Sequence, residues 1–229
     1  MGFLKNFFNS ALRENTRSIQ TNSFEHLSET ELEAHLQVAK YGNFTLTDAV
    51  RPAYDLKVVP SQGFRHESYR EEDSHSSVPV LMAAASRENL FDIFMDMLDE
   101  LGTVVDVVLE SSHDRTARGH LDLFREHIDM PVLKSILWDH EDLLTNDGCT
   151  GIAVLNPRMP HEVQFDEHKL LIVYGNGLNA YEDILDSYRI PCEENIRFIT
   201  EAEHVHSSCD RYAQQFELLK TDLGMDSGY

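Results

Sequence analysis

Residues 78–85, Val-Pro-Val-Leu-Met-Ala-Ala-Ala, form an unbroken apolar run of strand length. With no polar alternation, such a strand needs cover on both faces, the condition met inside an α/β sheet. From Arg87 to Leu101 the apolar spacing turns helical: Leu90, Phe91, Ile93, Phe94, Met97, Leu98 and Leu101 share a stripe, with Asp92, Asp96 and Asp99 opposite. Ser86 fits an N-cap and Gly102 a helix terminator. Thr103–Glu110 then returns to β-branched residues. The unit reads strand, helix, strand, and its two strands are expected to be parallel with a right-handed crossover. Ligands of such sheets favour loops at the carboxyl ends of strands, here Ser86–Asn89 and Ser111–Asp114.

Lys169–Glu201 has the same length and the same strand–helix–strand reading, with its helix over Ala180–Tyr188 behind Asn179 and its second strand over Ile196–Glu201. Superposing the two units by number sets Glu110 on Glu201 and His113 on His204. Between them, Gly151–Asn156 reads as a strand, and Glu162–Asp166 and Leu170–Tyr174 as a hairpin. Helices are expected over Arg118–Ile128, from Pro131 to Leu144, and over Cys209–Leu223. Near the N-terminus, Ser28-Glu-Thr-Glu31 is a capping box opening a helix to about Lys40. The fold class is therefore α/β: a mixed sheet of about five to six strands, built from two βαβ units plus a central antiparallel pair, with helices on the faces and a helical N-terminal extension. Residues 1–60 read as a small helical region, 61–77 as a polar linker or surface loop, and 78–229 as the α/β domain.

The net charge of −21 is unevenly placed: residues 1–60 carry 6 Lys/Arg against 7 Asp/Glu, leaving 13 against 33 for the rest. An acidic body of this size repels phosphate backbones and anionic lipid, which excludes nucleic acid and membrane surfaces as expected partners and favours a basic protein or a divalent cation. Three cysteines without CxxC spacing, and no long apolar stretch, fit a reducing, cytoplasmic setting. Phe3, Leu4, Phe7, Phe8, Ala11 and Leu12 recur at helical spacing, and a helix over Phe3–Leu12 is expected to make a homo-oligomer contact.

No GxSxG elbow, P-loop, HExxH or CxxC is present. Gly175-Asn-Gly177 ahead of a helix resembles part of a dinucleotide fingerprint, a minor nucleotide-binding reading that acidic surroundings disfavour. The sequence therefore favours a non-catalytic binding or interaction protein that self-associates. The alternative is a metal-assisted hydrolase or lyase at the carboxyl ends of strands 103–110 and 195–201. Its acid–base candidates are Glu110, His113, Asp114 and Glu201. Its metal-ligand candidates are His113, His204, His206 and Cys209, since imidazole and thiolate both suit a divalent metal. No organic cofactor is implied.

Overall fold

A computed structural model describes residues 23–70, 77–113 and 121–225. The helix expected over Phe3–Leu12, and the candidate Asp114, lie outside the described residues. In order, the elements are α1 (Glu29–Leu36), β1 (Lys40–Tyr41), β2 (Phe44–Thr45), β3 (Val50–Pro52), β4 (Gly63–Arg70), β5 (Ser77–Ala84), α2 (Arg87–Asp99), β6 (Val104–Ser111), β7 (Leu121–Asp129), α3 (Met130–Asp139), α4 (Glu141–Asn146), β8 (Thr150–Leu155), β9 (Glu162–Phe165), β10 (Leu171–Tyr174), α5 (Asn179–Ser187), a 3-10 turn (Ile199–Glu201), β11 (His204–His206) and α6 (Asp210–Asp222).

The fold is α/β, with a seven-stranded sheet in the order β4-β5-β10-β9-β8-β6-β7. Every neighbouring pair in it is antiparallel. Four antiparallel steps separate β5 from β6, so the two strands run parallel as the crossover helix α2 requires, but β10, β9 and β8 lie between them. The expected βαβ unit is thus right in direction and wrong in adjacency. Leu81, Val173, Val163, Val154 and Val107 stand in register across five strands, each 1% exposed or less. This apolar ladder faces α2, α3, α4, α5 and α6, whose buried residues complete one core cluster. Each fully buried aliphatic side chain in it contributes roughly 1.5–3 kcal/mol of transfer free energy. Phe94 sits at the centre, 5.1 Å from the Phe165 ring.

The helices therefore gather on one face rather than on both. On the other, Val80, Ile172 and Tyr174 pack against Ile196 and Phe198. Here the second expected βαβ unit fails: the strand expected over 196–201 is an irregular segment ending in a 3-10 turn. The helix expected over 118–128 is also corrected, because residues 121–129 form strand β7 at the sheet edge. The polar stretch 61–77 contains β4, whose outer edge is covered by 191–193 through Phe64 N to Pro191 O and Glu193 N to Phe64 O. The capping box forms as expected, with Ser28 Oγ accepting from Glu31 N and Glu31 Oε2 from Ser28 N. Pro131 lies in the first turn of α3. Among the described residues no helix is long and apolar enough to cross a membrane.

One end of the sheet collects the carboxyl ends of β5, β6 and β9 and the start of β8. The small β3–β11 ladder pairs His204 with Pro52 and His206 with Val50. Buried Arg51 fixes this ladder by donating to Leu36 O of α1, Thr47 O and Val50 O.

Candidate metal centre

The β9–β10 turn is set by one carboxylate. Asp166 Oδ1 accepts from His168 N at 3.0 Å and Leu170 N at 2.7 Å, while Lys169 closes the turn at φ 65°. The other oxygen, Oδ2, lies 2.8 Å from His168 Nδ1, so the turn that reverses the chain also orients the imidazole. Burial opposes charge on Asp166, but His168 and the Leu170 amide hold its carboxyl below the usual range. The same pair raises the His168 imidazole despite its burial.

Across from this turn, His204 and His206 occupy alternate positions of β11, which places both rings on one side of the strand. Ring centroids of the three histidines are 4.7 to 5.1 Å apart. His204 Nδ1 lies 2.8 Å from Ala202 O, and His206 Nδ1 lies 2.6 Å from Gly148 O. Each ring therefore gives its Nδ1 to an oxygen and keeps Nε2. One nitrogen from each of His168, His204 and His206 lies within 4.8 Å of the others. Tetrahedral zinc, with bonds of about 2.0–2.1 Å, sets ligand nitrogens about 3.4 Å apart, inside the 4.8 Å that bounds these three. Burial pushes His204 down to about 4 and also lowers His206, favouring the neutral imidazole that a metal needs.

Gly148 locks this arrangement. Its amide donates to Ser207 O, Ser207 N donates to Ala49 O, and its carbonyl holds His206. A Cβ at 148 would lie 2.3 Å from Ala49 O and 2.9 Å from Ser207 O, both backbone atoms. Gly148→Ala is expected to cost about 1–3 kcal/mol through forced backbone displacement. Because that displacement moves β11, a chemical-denaturation loss should be accompanied by weaker zinc binding; unchanged zinc affinity would show that the histidines do not depend on this contact.

Around the histidines lies a second polar layer. Glu167 accepts from Ser112 Oγ at 3.1 Å, and its charge is felt by both His168 and His206. Lys169 Nζ donates to Thr150 O at 2.8 Å, and burial lowers it to about 8. Glu110, at the carboxyl end of β6, is pushed up to about 9 by burial, aided by Asp122, Glu167 and Asp166. A cleft beside His168 and Lys169 has walls of Phe44, Leu46, Ala84, Leu90 and Phe198.

Of the residues singled out in the sequence, His204 and His206 meet. His113 lies at the same sheet end but in a separate group with Asp147 and Cys149. Glu201 is elsewhere, bound to Arg65 Nη1 at 2.8 Å and to Phe198 N. Cys209 is exposed at the N-cap of α6 and belongs to none of the His/Cys/carboxylate groups found among the described residues. The Gly175–Gly177 loop follows β10 at the opposite end of the sheet, where His161 Nε2 bonds Asn176 O and a Cβ at 175 would strike His161. His168 is the candidate ligand that sequence spacing did not yield; the readable signal was Asp-x-His directly before an apolar strand. No protein-family model matches the chain, and neither a curated protein nor a solved structure does.

Proposed function

We propose that this chain is a metal-assisted hydrolase whose metal, zinc in the first instance, is held by Nε2 of His168, His204 and His206. The observation carrying the reading is that all three Nδ1 atoms are engaged by fixed oxygens, of Asp166, Ala202 and Gly148, which leaves Nε2 free on each ring, in a group where one nitrogen per ring lies within 4.8 Å of the others. Three protein ligands leave a fourth position open, the arrangement of catalytic rather than structural zinc. A metal held there would supply Lewis acidity and activate water for attack near neutral pH. Glu167, whose charge reaches both His168 and His206, is the nearby carboxylate that would serve as proton acceptor. Lys169, whose buried Nζ donates to Thr150 O, lines the apolar cleft beside the histidines. This reading departs from the non-catalytic one that the sequence favours.

The test is hydrolysis of p-nitrophenyl acetate and bis-p-nitrophenyl phosphate by chelator-treated and zinc-reconstituted chain. Turnover of either compound that vanishes with chelator and returns with zinc is expected. Zinc bound at one or more equivalents with a rate no higher than free zinc would overturn the hydrolase and leave a non-catalytic metal-binding protein. Asp166→Asn should weaken zinc about 10–100-fold, as removal of a partner behind a ligand histidine does. Competition against a chromophoric chelator measures it; full retention of affinity would deny Asp166 that role.

A further inference from the structure

We infer that the chain has a second, thiolate-containing metal site, formed by His113, Asp147 and Cys149, beside the three-histidine centre and chemically distinct from it. One donor atom from each of the three residues lies within 4.8 Å of the others. They come from elements already fixed by the sheet: His113 follows β6, and Asp147 and Cys149 enter β8. Ser112 N donates to Cys149 O at 2.9 Å, which ties the two chain segments together.

Two features of this group are poorly explained by hydrogen bonding alone. His113 Nε2 lies 3.0 Å from Asp147 Oδ2, yet it makes no hydrogen bond of acceptable geometry. The two atoms are in contact, and His113 helps hold the Asp147 carboxyl low, but Nε2 is left without a hydrogen bond. Their spacing is already near the tetrahedral edge of about 3.4 Å. Secondly, Asp147 is fully buried and its Oδ1 has no hydrogen-bond partner, although the Ser208 hydroxyl is near enough to stabilise the carboxylate. An orphaned carboxylate oxygen in the interior is expensive, and a cation removes that cost.

The outer partners are in place as well. His113 Nδ1 is 2.7 Å from Ser111 Oγ, again leaving Nε2 as the ligand nitrogen. Thr150 Oγ1 donates to Asp147 Oδ2 and holds the carboxylate in position. One imidazole, one carboxylate and one thiolate form a donor set suited to zinc, and binding would release the Cys149 thiol proton to solvent. The two sites share a peptide: Gly148, between Asp147 and Cys149, carries the carbonyl that orients His206. A metal on the second site would therefore stiffen the support of the first. The exposed group of His66, Cys192 and Glu194 differs, because both ring nitrogens of His66 are taken by Glu182 and Glu194.

Cobalt(II) titration of the reduced full chain tests the proposal, with metal content measured in parallel. Two equivalents per chain and a thiolate-to-cobalt charge-transfer band are expected. Cys149→Ser should abolish the band and one equivalent, His204→Ala should remove the other equivalent and keep the band, and Cys192→Ser should leave both. Absence of the band, or its survival in Cys149→Ser, overturns the second site whatever happens at the three-histidine centre. Loss of binding only in His204→Ala would likewise leave the first reading standing and this one refuted. Independently of any variant's folding, zinc should shield Cys149 of the unaltered chain from alkylation, mapped by peptide mass; equal labelling with and without zinc also refutes it.

Discussion

Chains carrying His168→Ala, His204→Ala or His206→Ala are expected to lose zinc affinity by more than about 100-fold at the three-histidine centre. The bound is set by comparison: removing an outer partner of a ligand histidine costs about 10–100-fold, and removing the ligand itself costs more. All three should behave alike, because each supplies one Nε2 and is braced by one Nδ1 contact. His127→Ala is the control, since its side chain is 68% exposed at the far end of β7. The loss has a second signature in stability. Metal at about 100 times its dissociation constant stabilises a folded chain by about 2.7 kcal/mol, and that increment should be missing from all three variants; His168→Ala should in addition lower the metal-free stability, because it removes a partner of the buried Asp166 carboxylate. Chelator competition and thermal melts with and without zinc read the two effects. Retained affinity in any one variant would remove that histidine from the centre.

Relative to Glu110→Gln, the metal-free chain should lose stability as pH rises from about 5 to about 9. The sign follows from proton binding. Glu110 is raised from 4.5 to about 9 in the folded chain, so the native state holds a proton that the unfolded state has released. The stabilisation is full below the unfolded pKa and is lost as pH rises through the folded one. Each unit of that window is worth about 1.4 kcal/mol for a single group. The cause is local: the carboxyl is 7% exposed, and the charges of Asp122, Glu167 and Asp166 add to the burial. A glutamine of similar shape cannot ionise, so at pH 8 the variant should be more stable than the parent by a few kcal/mol. Denaturant midpoints at pH 5, 7 and 8.5 decide it; parallel parent and variant curves would mean that Glu110 is ionised in the folded chain.

What could be read from the sequence is the part where burial alone dictates the pattern. β5, α2 and β6 were legible because a continuous apolar run and a 3.6-residue stripe report cover, and cover is what these elements have. Neighbours were not legible, since periodicity says that a strand is buried but not which strand lies beside it. β7 was misread because Leu121, Phe124 and Ile128 suit helical spacing, whereas the alternation that matters, Leu121 and Leu123 on one side, is diluted by Arg125 and by a register shift at Asp106. β4 looked like a linker because most of its side chains are exposed and polar, the usual dress of an outer strand. Half of the candidate centre was visible as His204-Val-His206. The other half depends on Asp166 and His168 arriving through a turn, a relation carried by hydrogen bonds over four residues and not by hydrophobic pattern.

The separation of β5 from β6 has a consequence for how the chain is made. The three strands that fill the gap, β8, β9 and β10, are all later in sequence than either of their outer partners. Until residues 150–174 leave the ribosome, β5 has only β4 and β6 has only β7, and each two-stranded piece presents an unpaired inner edge flanked by apolar side chains. Neither piece is wide enough to be stable alone. The sheet must therefore close from its middle, over long sequence separations, which makes folding slow relative to a helical bundle of the same size. An arrested or truncated product ending before β8 would carry two sticky edges in place of one complete sheet, so strands β8, β9 and β10 act as this protein's own protection against aggregation, and the turn between the last two also carries His168.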